Sequence, residues 1–358
     1  MRPRWRSSSL GFEVEAEIEF ENGGTGATLE LEYEEFGEFE NEVEKGGEVV
    51  VEELYVKREF EGLGHIKIGR FYTAVGLLSA VHRPTELLAA NRPESETTVI
   101  PAVWDEMGLE VAADAGPLTL TAQVINGLDS TGFSSQRWIA SGQQTRFETI
   151  NAQGLAGVLR VDARPADALL VGGSAYWGQS TQNRPKPDLA LDCDVSDAAE
   201  VAPCGYLGGD VMILGAHATY DDRLVRARAS LLWGRLENAR QISERNRSLS
   251  NNLGVLRSEI AEQALSMWGE AGLNVLSFFA PSDWRIEPHV RVEYYDTMFK
   301  VARGQFDPPR FERLVLAGGV GADYQDLVFT RLTARHRTFG DADIRSQLDV
   351  VFTTGFSF

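Results

Sequence analysis

Arginine recurs at even spacing through the second half of the chain. Arg226 and Arg228 are a pair of this kind, as are Arg285 and Arg291, and Arg331, Arg335 and Arg337 form a third group. Glutamate does the same near the start, as Glu13, Glu15 and Glu17 and again as Glu30, Glu32 and Glu34. An even interval returns a side chain to the same face of a β-strand, so each group lines one wall. A guanidinium is planar, permanently charged and forked, which suits carboxylate or phosphate oxygens. If the two groups line different arcs of one closed wall, they set a transverse field that orders water and disfavours apolar solutes. The plainer alternative is that the charges pair with one another and merely keep a surface wet.

A second set of reactive types is gathered in 74–103: His82, Arg83, Arg92, Glu94 and Glu96, with Pro84, Pro93 and Pro101 stiffening the segment. Its stretch VIPAVW is apolar enough to pack against an inner wall. That makes it a candidate constriction, against the alternative of an ordinary external loop. Cys193 and Cys204 are the two cysteines, separated by a polar segment. They fit one disulfide in an oxidising compartment, or else two free thiols. No histidine or further cysteine lies close enough for a zinc site, so no metal is expected. Enzyme signatures are missing as well. His65, His82, His217, His289 and His336 are scattered, with no HExxH, G-x-S-x-G or Walker motif. The glycines of GLGHIKIG lead into a strand and cradle no phosphate. No cofactor is implied and an enzyme is not expected.

The elements that position these groups follow from the alternation. GFEVEAEIEFE sets Phe12, Val14, Ala16, Ile18 and Phe20 against glutamates; LVRARASLLWG and WRIEPHVRVEYY repeat the pattern with arginine and glutamate. Strands are predicted at 10–20, 26–36, 48–60, 64–73, 104–114, 117–127, 153–164, 167–178, 209–220, 223–236, 268–280, 284–298, 311–324, 327–338 and 346–358. The connections take turns being short (EGLG, DAGP, YDDR) and long (74–103, 128–152, 179–208, 237–266, 299–310). Short turns at one end and long loops at the other are the pattern of a transmembrane β-barrel. Such barrels have an even number of strands, so about sixteen are expected, the first truncated, upstream or irregular. The fold class is therefore all-β, an antiparallel up-and-down barrel forming a single domain over 1–358. SEIAEQALSM reads as a short helix within a loop. Trp104, Tyr176, Trp177, Trp233, Trp268, Trp284 and Tyr294 read as interfacial belts. Arg58 and Arg70 are turned toward lipid by simple alternation, which asks for a bulge or an interfacial position.

The 358 residues carry a net charge of −19 and a pI near 4.8, which argues against a nucleic-acid partner. No run of eighteen apolar residues exists, so no membrane-spanning helix is expected, which leaves a barrel open. The start, MRPRWRSSSLGFEVE, has no apolar core of a signal peptide. The chain closes on QLDVVFTTGFSF, with Phe352, Phe356 and Phe358 at alternate positions, where an aromatic-ended last strand would serve as the assembly signal.

The stretches YVKREFEGLGHIKIGRFYTAVGLLSAVHRP, NRPESETTVIPAVWDEMGLEV and LTAQVINGLD resemble the porin O and P family, the phosphate-selective porins, over roughly 52–130. The resemblance implies a sixteen-stranded, commonly trimeric, passive channel of the bacterial outer membrane, with basic clusters lining the pore. Its partners would be outer-membrane lipid, the barrel assembly machinery and small ions or solutes. Small anions including phosphate follow from the resemblance and the arginines. Cations or neutral solutes follow from the net charge, and a binding or adhesion barrel with an occluded lumen is the alternative of another class.

Overall fold

The computed structural model describes residues 14–22, 25–34, 48–81, 85–144, 154–181, 208–247, 258–279, 282–325 and 327–356. One sheet orders fifteen strands sequentially, β1 beside β2 through to β14 beside β15. These are β1 (Val14–Asn22), β2 (Thr25–Glu34), β3 (Glu48–Phe60), β4 (Gly64–Tyr72), β5 (Asp105–Ala115), β6 (Leu118–Asn126), β7 (Leu155–Ala166) and β8 (Leu169–Gly178). They continue as β9 (Val211–Asp221), β10 (Val225–Leu236), β11 (Gln263–Leu273), β12 (Trp284–Lys300), β13 (Glu312–Tyr324), β14 (Val328–Phe339) and β15 (Gln347–Phe356). Every neighbouring pair is antiparallel, as in β12 against β13, where Trp284 faces Tyr324 and Asp296 faces Glu312. The chain forms a transmembrane antiparallel up-and-down β-barrel. This architecture pairs backbone groups between strands where lipid offers no hydrogen-bond partner. No helix among the described residues is long and apolar enough to cross a membrane.

β1 and β15 run toward the same end, where the short turns lie. An antiparallel closure between them calls for one more strand of opposite direction, and the expected sixteenth strand falls on residues outside the described ones.

Alternation is legible strand by strand. On β12, Val290 and Val292 are exposed while His289, Arg291 and Glu293 are buried. On β15, Leu348, Val350, Phe352 and Phe356 face outward. This outer band runs through Leu54, Val56, Ile68, Leu109, Leu120, Leu159, Leu214, Leu231, Leu316 and Leu332, the surface a hydrocarbon layer would cover.

The apolar core lies inside the barrel, toward the long-loop end. Phe71, Val99, Ile100, Trp104, Ile125, Phe133, Trp138, Tyr176, Ile213, Leu232, Ile242 and Ile260 cluster there. The strand expected at 268–280 instead runs from Gln263 to Leu273. The second half of SEIAEQALSM, Gln263–Met267, joins this strand. Ala264 and Ser266 turn inward, while Met267 is exposed on the outer face. Pairing with β10 overrides the helical preference of Ala, Leu and Met. The helix of that region, α2, sits earlier, at Ala239–Arg247.

The belt assignment is corrected in part. Trp177 and Trp284 are exposed, but Trp104, Tyr176 and Trp268 are buried inside. Their rings pack on the inward loops rather than meeting headgroups; Trp104 and Tyr176 lie with centroids 5.0 Å apart. Arg70 keeps the outward register, paired with Leu54 on β3 and Met107 on β5. Its charge is not offered to lipid: the side chain is fully buried against Asp105, whose other carboxylate oxygen accepts from Gln143 at 2.6 Å. Arg58 lies exposed near the short-turn end.

Candidate functional site

The segment between β4 and β5 does not stay outside. Its neck is closed by the Thr73 amide donating to the Trp104 carbonyl at 2.6 Å, and the chain between them crosses the interior. A backbone that leaves the sheet must find new partners for its N–H and C=O groups. Here the inward side chains of the wall supply them.

Arg160 on β7 donates to the Gly76 carbonyl at 2.8 Å, Arg228 on β10 to Glu86 O at 2.6 Å, and Arg331 on β14 to Leu87 O at 2.9 Å. Arg291 on β12 donates to Asn91 O at 2.9 Å. In the other sense, the Ala90 amide donates to Thr333 Oγ1 at 3.0 Å and the Ser95 amide to Glu293 at 2.8 Å, while Thr353 of β15 donates to Ala90 O at 2.8 Å. The segment is thus an inner strap, touching strands from β7 round to β15.

A short helix, α1 (Glu94–Val99), ends the crossing and packs on β11 and β12. Glu96 within it is fully buried. One oxygen accepts the amides of Leu77 and Leu78, both at 2.9 Å; the other accepts the Trp268 indole N–H at 2.7 Å. A buried carboxylate is tolerable only when its lone pairs are met in this way. Glu96 therefore ties the two limbs of the strap to each other and to β11.

Glu94 faces a different setting. Arg337 grips it with two nitrogens, Nε at 2.7 Å from Oε1; Tyr295 donates to it, Arg335 approaches to 3.5 Å and Arg313 to 3.7 Å. Arg335 and Arg337 also reach Asp349, at 3.5 and 3.6 Å. Burial raises the Glu94 carboxyl, but the hydrogen bonds from Arg337 and Tyr295 and the charge of Arg335 outweigh it, leaving the group below its ordinary range. Three guanidiniums thus gather on Glu94 and Asp349.

Nearer the short-turn end the arginines close on themselves. Arg226 pairs with Glu287 and, at 3.2 Å, with Asp323. Arg285 meets Glu287 at 2.9 Å and Asp221 at 3.5 Å, and Arg331 pairs with Asp323. On the opposite strands, Glu110 accepts from Gln123 at 2.6 Å and meets His65 at 2.8 Å and Lys67 at 3.4 Å. Asp162 holds Arg160 and His217, each at 2.7 Å.

A second inward segment, unforeseen in the sequence, follows β6. Trp138 is completely buried, its indole donating to Ala261 O at 3.1 Å. It lies over Gly234 on β10, where any Cβ would run into the ring. Asn246 of α2 donates to Ser130 O at 2.9 Å and holds this segment from above. The signal that could have found it is a tryptophan and a glycine inside runs of opposite kind. Between this segment and α1 lies a cavity of about 330 Å³, lined by Glu94, Thr97, Thr98, Ala102, Gln136, Arg137 and Arg313.

Of the residues singled out in the sequence, the structure brings together Arg335, Arg337 and Glu94, and separately Arg226, Arg285 and Arg331. Arg228 and Arg291 are spent on strap carbonyls and on Glu270, at 3.7 and 3.6 Å. Arg92 is half-buried on the strap. Backbone register aligns Glu15 with Glu32 and Glu17 with Glu30. Glu34 ends β2 opposite Glu48. Glu13, His82, Arg83, Cys193, Cys204 and Phe358 lie outside the described residues. Arg313 and Asp349, not singled out, belong to the same cluster as Glu94.

No family model matches the chain. A stretch of 181 residues is 26% identical to an uncharacterised protein of Aquifex aeolicus (strain VF5), covering 50% of this chain and 40% of that protein. The chain thus spans less than half the length of that relative. Among solved structures, OmpF of Salmonella typhi, in complex with daunomycin, matches over 99% of this chain and 92% of its own, with TM-score 0.56 and 12% identity. At that identity the likeness is one of fold. An in-vitro folded trimer form of OmpT from Vibrio cholerae matches over 95% of this chain and 86% of its own, with TM-score 0.46 and 10% identity.

Proposed function

We propose that the chain is a passive outer-membrane porin for small hydrophilic solutes or ions, with residues 73–104 as its constriction. The observation that carries the reading is the strap itself, which crosses the interior and is fastened to the wall by four arginine–carbonyl bonds. A loop folded inward narrows a passage; a loop left outside does not. In this reading the short-turn end faces the periplasm, and Phe352 and Phe356 belong to the strand that guides assembly. Assembly as a trimer in the outer membrane belongs to the same proposal.

Anions are the preferred solutes on this reading. At the strap, Arg313, Arg335 and Arg337 outnumber Glu94 and Asp349, and fixed charge at the narrowest point sets ion preference. Phosphate is one such anion, and the same cluster fits small carboxylates. The test is planar-bilayer recording of the purified protein. Conductance steps with a reversal potential of chloride sign in a KCl gradient are expected. A potassium sign ends the anion assignment, and silence from folded protein ends the porin reading.

One observation favours a second reading, a binding barrel with an occluded lumen. The long-loop half of the interior holds an apolar core built from both inward segments and α2. Liposomes that fail to swell in small sugars while the protein is folded would select it.

A further inference from the structure

The connection between β11 and β12, residues 274–283, is unlike the other short turns. From Asn274 to Ser282 it has no charged residue, whereas the neighbouring turns carry Asp222 and Arg223 on one side and Asp326 on the other. It contains a single helical turn, Val275–Phe278. It is also held in place. The Asn274 amide donates to Leu224 O at 2.8 Å, Ser277 Oγ donates to Arg223 O at 2.9 Å, and the Asn274 side chain accepts from Leu276 N at 3.2 Å. A turn fixed to its neighbour nonetheless displays two adjacent rings, Phe278 at 63% exposure and Phe279 at 84%, the most exposed large apolar side chain among the described residues.

Leaving two phenyl rings largely in water forgoes the hydrophobic gain that burying either would bring. The flanks say where it could be recovered. Leu273 ends β11 and Trp284 begins β12, both exposed on the outward face. The Trp284 ring lies 5.0 Å from that of Tyr324 on β13, the start of an aromatic strip at the edge of the outer apolar band. Aromatic rings are at home at the level of lipid headgroups. Phe278 and Phe279 lie in the chain between Leu273 and Trp284, the outward-facing ends of the two strands that the turn joins. From Asn274 to Ser282 the turn also lacks the charged groups that would specify a protein partner.

We propose that residues 274–279 form a membrane-contacting paddle, with Phe278 and Phe279 seated in the headgroup layer of the leaflet at the short-turn end. The paddle anchors the rim of β11 and β12 against vertical displacement. The inference rests on the transmembrane barrel and is independent of conduction.

The experiment uses the full chain in vesicles, with Phe279→Trp and Phe278→Trp as separate variants and the parent's emission subtracted. The added emission is expected to be quenched by phospholipid brominated near the top of its acyl chains and spared by aqueous iodide. Iodide quenching without bromolipid quenching would place the rings in water and overturn the proposal. Quenching by neither, relieved when oligomers are dissociated, would make the turn a contact between copies and overturn it too. The double variant Phe278→Ser, Phe279→Ser supplies a second readout. A lowered thermal midpoint in vesicles but not in short-chain detergent supports lipid contact. An equal loss in both assigns the rings to internal packing and overturns it.

Discussion

Two arginine clusters share one inner wall and differ in what they face. The one nearer the short turns, Arg226, Arg285 and Arg331, is matched by Glu287, Asp221 and Asp323 across five strands, β9, β10, β12, β13 and β14. Its charges are consumed within the sheet, and it acts as stitching. The one nearer the long loops, Arg313, Arg335 and Arg337, is answered chiefly by Glu94, which belongs to the strap and not to the wall. Residue type and strand face are the same in both. What separates them is whether the counter-charge is carried by a neighbouring strand or by a segment that crosses the space between strands. Breaking the first should cost stability; breaking the second should change what passes.

The largest effect is expected from severing a buried stitch. Arg291 is fully buried against Glu293 at 2.8 Å and also holds the strap at Asn91. Arg291→Met would leave Glu293 buried without its counter-charge, a loss of about 3–5 kcal/mol. Denaturant unfolding followed by the gel shift of the heated against the unheated protein would measure it. A variant as stable as the parent would contradict the stitching role.

Next comes Glu94→Gln. It removes the carboxylate around which three guanidiniums gather and should raise the chloride-to-potassium permeability ratio by about 3- to 10-fold, as one charge removed at a partly screened site implies. Bilayer reversal potentials would read it. An unchanged ratio together with intact folding would mean that the cluster does not border the permeation path.

The pH dependence gives a smaller and sharper comparison. The Glu94 carboxyl is lowered, so its ionic anchorage is fully present above the ordinary glutamate range and is lost only as pH falls through the depressed value. Selectivity should stay flat from neutral pH down into that range, then move toward anions below it. A change centred at or above the ordinary glutamate value would refute the assignment to Glu94.

The smallest effect is expected at Arg285→Gln. Its side chain is 28% exposed and Glu287 keeps Arg226 as a partner, so the loss should be under about 1 kcal/mol. Selectivity should not move, and the same reversal-potential measurement checks it.

Much of the wall was legible in the sequence because a two-residue period is a property of each strand taken alone. Arg226 and Arg228, or Arg335 and Arg337, could be assigned to one face without knowing any neighbour. The misplacement of β11 marks where that breaks down. Gln263–Met267 has a composition that suits a helix, and only pairing with β10 decides otherwise. The burial of Trp104, Tyr176 and Trp268 was equally hidden, since alternation gives the face of a tryptophan but not whether a loop has been folded against it.

The sequence by itself determined an antiparallel barrel with long loops at one end, an apolar exterior and a charged interior. Those follow from local period and from turn length. Only the tertiary structure decided what each inward charge does. Arg160, Arg228, Arg291 and Arg331 became anchors for strap carbonyls because a backbone leaving the sheet must have its polar groups met. Arg313, Arg335 and Arg337 came to share Glu94 because the strap brings residue 94 within reach of strands more than two hundred positions away in the chain. Charge pairing across a closed wall depends on distance in space, and no spacing along the chain encodes it.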